Sequence, residues 1–224
     1  MEVLDFIDKH WLDLVPAAGI AVLVTIATIP LFLSVGVASA TAQLYGGKLG
    51  ARIAGVYLAV FRGTPLLIQV FWIFYGLPLV GIRLPPIAAG IIALALNFGA
   101  YSSEIIRSGL SAVPPGQHEA AKMLGMTRWQ SLRRVVFRQA FVVSAPALAN
   151  QVIELFKNTS LLGLITVAEL IRAGRQLGVA TYNPMGSWML VACFYIIIAG
   201  AASIAMRRFE KRTNRVLVSE RAMA

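Results

Sequence analysis

Three sets of polar residues stand inside otherwise apolar stretches of the sequence. Asn150, Glu154 and Lys157 are spaced i, i+4, i+7, which puts them on one face of a helix, with Gln151 and Asn158 beside that stripe. Asn97, Tyr101 and Glu104 repeat the spacing, and Arg62 and Gln69 form the third set. Ionisable groups in an apolar surrounding are costly and are functional candidates for that reason. The chemistry open to them is ionic and hydrogen-bonding recognition. Bond-making chemistry would need a nucleophile with its base, or a metal cluster. The two histidines, His10 and His118, lie outside the apolar stretches and far apart, and the lone Cys193 sits in an apolar run without a partner. Structural alternatives stay open. Glu154 and Lys157 can form an i,i+3 salt pair, Glu104 can hold Arg107, and Arg62 can snorkel to the inner surface.

The elements that must position these groups follow from the spacing of charge. Of 224 residues, 58% are hydrophobic and 13% charged, where an ordinary soluble domain is about half apolar and a quarter charged. Disordered, collagen-like and disulfide-rich classes are excluded, and a soluble enzyme is disfavoured. Uncharged runs of 34, 20, 20 and 31 residues lie between Asp13 and Lys48, Arg62 and Arg83, Arg83 and Glu104, and Arg175 and Arg207. About 20 apolar residues cross the hydrocarbon core as a helix. Four crossings follow directly. A fifth, near 135–156, is weaker because Arg138 and Glu154 leave only 15 uncharged residues between them.

Loop charge supports the fifth crossing. With five spans and the N-terminus outside, 15 of the 20 Lys and Arg residues fall inside, as the positive-inside rule requires. The acidic N-terminal stretch (Glu2, Asp5, Asp8, Asp13) falls outside. This topology absorbs the net charge of +10, which in a soluble protein would suggest nucleic acid. The first span lacks a basic leader and is too long for a signal peptide, so it is expected to be retained. The expected fold is an all-α membrane protein, one domain over 1–224, with spans near 15–43, 53–80, 85–106, 135–156 and 185–207. A kink is expected at Pro30, and Gly63, Thr64, Pro65 and Gly99 suit a helix break or close helix packing.

The long inside segment, about 112–134, has its own grammar. Pro114-Pro115-Gly116 ends one helix and starts another. Gln117 to Leu124 is a short helix, Gly125 a left-handed stop, and Thr127 with Gln130 a capping box opening a helix into span four. A face of Ala120, Ala121, Met123 and Leu124 must pack on something. Helix, glycine, helix superficially matches a DNA reader, but the second helix runs into the membrane. A docking element for a cytoplasmic partner is the better account, with no nucleic acid partner. Outside, a short amphipathic helix between 158 and 184 either lids the bilayer edge or meets a partner, and the tail from Arg208 is expected to be an exposed helix end.

These residues carry a family resemblance. Glu119-Ala120-Ala121 followed by Gly125 resembles the EAA loop of the permease subunits of bacterial ABC importers. Phe61-Arg62-Gly63-Thr64-Pro65-Leu66-Leu67-Ile68-Gln69 resembles the "FRGTPLLVQ" signature. Tyr101 to Gly109 with Gly116-Gln117 and Glu119-Ala120-Ala121, then Pro146-Ala147-Leu148 with Asn150, and Lys157-Asn158-Thr159-Ser160-Leu161, resemble the remaining motifs in order. Together they are similar to the polar amino acid branch, whose members import histidine, glutamine, glutamate, cystine, basic amino acids or opines. Phe137-Arg138 departs from the usual leucine-proline, and Asn158 replaces a frequent aspartate.

The resemblance implies a type I importer permease fold in the bacterial inner membrane, with a periplasmic N-terminus and a cytoplasmic C-terminus. It implies two paired permeases, identical or related, an ABC ATPase dimer, and a periplasmic binding protein that delivers an amino acid. Glu119, Ala120, Ala121, Met123, Leu124 and Gly125 would form the ATPase-coupling helix. Trp129 would stack on the partner or sit at the membrane interface. For an amino acid ligand, Glu154 would take the ammonium group or a cationic side chain, while Asn97, Gln69, Asn150 and Glu104 would be further contacts. The chain has no G-x-x-x-x-G-K-[ST] loop, so ATP and Mg are expected on the ATPase subunit and no cofactor on this chain. It is expected to be a permease rather than an enzyme. A stand-alone channel or secondary carrier is the alternative, and it leaves the EAA loop unexplained.

Overall fold

The computed structural model of the chain describes residues 2–222. Among these residues there are helices and turns but no strand. Helix α1 (Glu2–Tyr45) has 44 residues and runs unbroken through Pro16 and Pro30. At 1.5 Å per residue it is roughly 66 Å long, about twice the hydrocarbon thickness. Helix α2 (Gly47–Gly63) is followed by α3 (Leu66–Phe71), which continues through a wide π turn at Trp72–Gly76 and a 3-10 turn at Leu77–Val80. Then come α4 (Pro86–Ser111), the short α5 (Pro115–Met123) and the four-residue α6 (Arg128–Ser131). A second π turn at Leu132–Val136 joins α6 to α7 (Phe137–Asn158). A 3-10 segment (Thr159–Ile165) leads to α8 (Leu170–Ala180), and α9 (Pro184–Ala222) closes the chain.

Among the described residues, three helical stretches are long and apolar enough to cross a membrane, and the α2–α3 pair makes a fourth if it counts as one bent span. The stretch expected as a fifth span is α7, whose 22 residues suffice in length. Arg138, Glu154 and Lys157 lower its hydropathy. The α2–α3 pair is bent by 106°, where the sequence suggested one span over 53–80. Thr64 and Pro65 are both extended at the bend. The physical cause is local: proline has no N–H to continue a helix, and it forces the residue before it out of the helical region.

Helix α4 sits at the centre. Its most apolar window is 67% buried, against 11% for α9, so α4 is the core helix and α9 presents most of its surface outward. One core packs Val24 and Phe32 of α1, Val70 of α3, Ala93, Leu94 and Phe98 of α4, and Leu155 and Leu162. A second packs Ala40, Ile106, Leu110, Val113, Val136 and Ala140. A third joins Leu14, Ala17 and Ala18 of α1 to Leu170 of α8 and to Leu190 and Val191 of α9. The early turns of α1 are thereby fastened to α8. Packing in lipid rests on close contact rather than on water exclusion. Gly99 illustrates it: a Cβ there would stand 2.7 Å from Val35 Cγ1. The exposure expected for the tail beyond Arg208 falls on side chains outside the described ones.

Candidate functional site

The bend between α2 and α3 leaves backbone carbonyls without helical donors. In hydrocarbon each such group must find a partner inside the protein. Four bonds supply them. Thr64 Oγ1 donates to the Val60 carbonyl (2.8 Å), Gln69 Nε2 donates to the carbonyls of Phe61 (2.9 Å) and Thr64 (3.0 Å), and Asn97 Nδ2 donates to Phe61 (3.1 Å). Asn97 Nδ2 also donates to Gln69 Oε1 at 3.0 Å. Both amides are buried. The structure therefore brings Gln69 and Asn97 together, as polar fastenings of the break. Their amide nitrogens are taken up by these bonds.

Two turns further along α4, Glu104 accepts from Arg107 Nη2 at 2.8 Å and lies 3.9 Å from Arg62 Nη1. The Arg62 guanidinium sits 5.7 Å from the centre of the Tyr101 ring. Glu104 is thus a counter-ion shared by two arginines, the alternative that the sequence left open for it. Leu58, Ala59, Arg62, Gly63 and Tyr101 line an open cleft of about 390 Å³.

The α7 stripe lies elsewhere. Asn150, Glu154 and Lys157 are all exposed. Lys157 Nζ approaches Glu154 Oε1 at 3.3 Å, with both side chains more than half exposed, so this pair is the open kind, worth little to stability. Asn158 Nδ2 donates back to the Glu154 carbonyl. Of the five expected ligand contacts, Asn150 and Glu154 stand on an accessible face.

The segment from Pro114 to Ser131 folds as its grammar suggests. Pro115 opens α5. Gly125 takes φ +72°, while its N–H donates to the Lys122 carbonyl and the Met126 N–H to Ala121. This is the paired-bond helix stop that a left-handed glycine allows. Thr127 Oγ1 accepts from Gln130 N and Gln130 Oε1 accepts from Thr127 N, completing the capping box. Gln139 of α7 donates to Gln117 at 2.9 Å and holds α5 in place. Glu119 and Ala120 are exposed. So are Met123 (88%), Leu124 (76%) and Trp129 (65%). Ala121 is the exception, at 2% exposure. It turns inward against its own chain, where its small size seats α5.

One node was not singled out from sequence. Glu169 is 1% exposed. It caps α8 by accepting from Ile171 N (2.9 Å) and Arg172 N (3.2 Å), and it accepts from the Tyr195 hydroxyl of α9 at 3.0 Å. Burial raises the Glu169 carboxyl above its ordinary range, and the backbone N–H groups oppose that shift. An acidic residue directly before a helix-forming run was the available signal. Beyond it, Arg172, Arg175 and Gln176 border a second open groove with Leu164, Ile171 and Val179. The short helix α8 occupies 170–180 because left-handed Thr166 ends the preceding 3-10 turn.

Residues 32–215 match the family described as the inner membrane component of binding-protein-dependent transport systems. The chain belongs to this family. It is a membrane permease subunit rather than an enzyme. The glutamine transport system permease protein GlnP of Escherichia coli (strain K12) is 36% identical over 182 residues, covering 80% of this chain and 83% of that protein. The L-cystine transport system permease protein TcyB of Bacillus subtilis (strain 168) is 43% identical over 164 residues, covering 73% and 70%. Among solved structures, an amino acid ABC transporter superposes with a TM-score of 0.83 at 33% identity, covering 91% of this chain and 95% of that one. The inward-facing MetNI methionine ABC transporter shares the fold at a TM-score of 0.70 and 19% identity, covering 95% and 98%. The chain therefore has the all-α fold of type I ABC importer permeases.

Proposed function

We propose that this permease forms the translocation path of an ATP-driven importer for a polar or cationic L-amino acid in the bacterial inner membrane. It crosses five times, with α7 as the fifth crossing, its N-terminus in the periplasm and its C-terminus in the cytoplasm. It pairs with a second permease, identical or related. A periplasmic binding protein delivers the amino acid at the α8 side. ATP and Mg act on a separate ABC ATPase dimer, into which α5 docks. Glu119, Ala120, Met123 and Leu124 make the contact, with Trp129 beside them, Gly125 stops the helix, and Ala121 anchors it. Exposed Glu154 and Asn150 meet the ammonium and polar groups of the amino acid. Gln69 and Asn97 hold the bend that shapes the path.

The observation that carries this reading is the outward apolar tip of α5. Met123 and Leu124 are among the most exposed large hydrophobic side chains, on a short helix whose other side is fastened by Ala121 and Gln117. An exposed apolar patch with an acidic neighbour suits a protein groove. A stand-alone channel or carrier has no use for it. The test is co-purification. Wild-type permease in detergent should bring down the ATPase, Leu124→Asp should lose most of it, and ATP-driven amino acid uptake in vesicles should fall in parallel. Full retention of ATPase and uptake by Leu124→Asp would falsify the docking assignment.

A further inference from the structure

Between Asp13 and Glu119 the sequence holds a single acidic residue, Glu104. In the structure that carboxylate is shared by two guanidinium groups, Arg107 at 2.8 Å and Arg62 at 3.9 Å. The three side chains together carry one surplus positive charge. They stand where α2 crosses α4, at a helix break inside an apolar block. A net charge there is costly without an anion. Arg107 has the short bond to Glu104. Arg62 has the long one, rests against the Tyr101 ring and remains 43% exposed. Its head lines the open cleft with Leu58, Ala59, Gly63 and Tyr101. Two carboxylates further along the chain have partners of their own: Glu154 has Lys157, and Glu169 has its cap and Tyr195. A planar guanidinium over an aromatic ring, beside a cleft of small-molecule size, is suited to a carboxylate.

We propose that Arg62, held against Tyr101 at the α2 break, binds the α-carboxylate of the amino acid in transit. This rests on the amino acid import proposed above. It assigns the part of the ligand common to all amino acids to α2 and α4, and leaves side-chain discrimination to other residues.

The test uses the whole permease–ATPase complex without binding protein, with radiolabelled L-glutamine and L-arginine as probes. Each is competed with its own free acid or its α-carboxamide. Wild type should prefer the acid. Arg62→Gln should weaken acid binding by about tenfold, the scale of one charge-assisted bond, and erase the preference over the amide. Arg62→Lys should weaken binding severalfold and keep the preference, and it decides the matter if the glutamine variant does not assemble. Arg62→Lys binding as tightly as wild type, or Arg62→Gln still preferring the acid, overturns the inference and leaves the importer reading intact. No binding of either probe to the wild-type complex overturns the inference, while ATP-driven uptake in vesicles separately decides whether the importer reading survives. The binding is repeated in vesicles with and without phosphatidylglycerol. An Arg62→Gln effect that follows the anionic lipid, with acid preference unchanged, identifies a headgroup phosphate as the ligand and also overturns the proposal.

Discussion

At the scale of single residues, the buried polar groups do structural work that an accessible surface cannot reveal. Gln69 and Asn97 close carbonyls that a helix break exposes in hydrocarbon. Gln69→Leu or Asn97→Leu should lower stability by about 1–3 kcal/mol, the cost of leaving such groups unsatisfied. Thermal melts of the purified complex check this, and the drop should be the same with and without amino acid. Glu169 makes a second prediction. Its folded pKa is raised by burial, so its protonated form is the one the fold prefers. Its contribution is therefore fully present below the ordinary glutamate range and is lost as pH rises through the folded value. Glu169→Gln should flatten that downward drift of the melting temperature with rising pH while keeping α8 capped. An unchanged drift in the glutamine variant would show that the carboxyl is not its source.

At the scale of elements, α5 is a two-sided helix. One side is seated by Ala121 and tied by Gln117 to Gln139. The other offers Met123 and Leu124. The two sides should respond differently. Ala121→Arg must push a long charged chain into a buried site, so it should destabilise the segment from α5 to α7 and lower the yield of folded protein. Leu124→Asp should leave the folding stability within about 0.5 kcal/mol of wild type, as a surface change does, and lose the ATPase. Limited proteolysis between α4 and α7 separates the outcomes: only the arginine variant should be cut faster. The sequence shows α5 and its caps clearly because proline, glycine and a capping box act within a few residues. It did not show which alanine faces inward, because that depends on where α7 passes.

At the scale of the whole molecule, the asymmetry of burial decides what faces lipid and what faces protein. Central α4 is surrounded, while α9, much of α2 and the turns that follow α3 are bare, with Trp72, Leu79 and Val80 strongly exposed. The proposed orientation puts Tyr182, at the turn after α8, and Leu124, at the end of α5, on opposite sides of the membrane. Cys193 is the only cysteine, so a Cys193→Ser background allows single-site labelling. Tyr182→Cys should react with an impermeant thiol reagent from the periplasmic side and Leu124→Cys only from the cytoplasmic side. Labelling of both from one side would overturn the topology.

The spacing of charge along the chain was enough to set the class of the protein, and local caps were enough to place the short helix α5. Charge in hydrocarbon is expensive wherever the chain folds, and caps act locally. Tertiary structure alone decided the commitment of Gln69 and Asn97 to the bend, and the sharing of Glu104 by two arginines. Those outcomes depend on which helices cross at α4. Residues distant in sequence become partners there, and nothing within a single segment encodes the meeting.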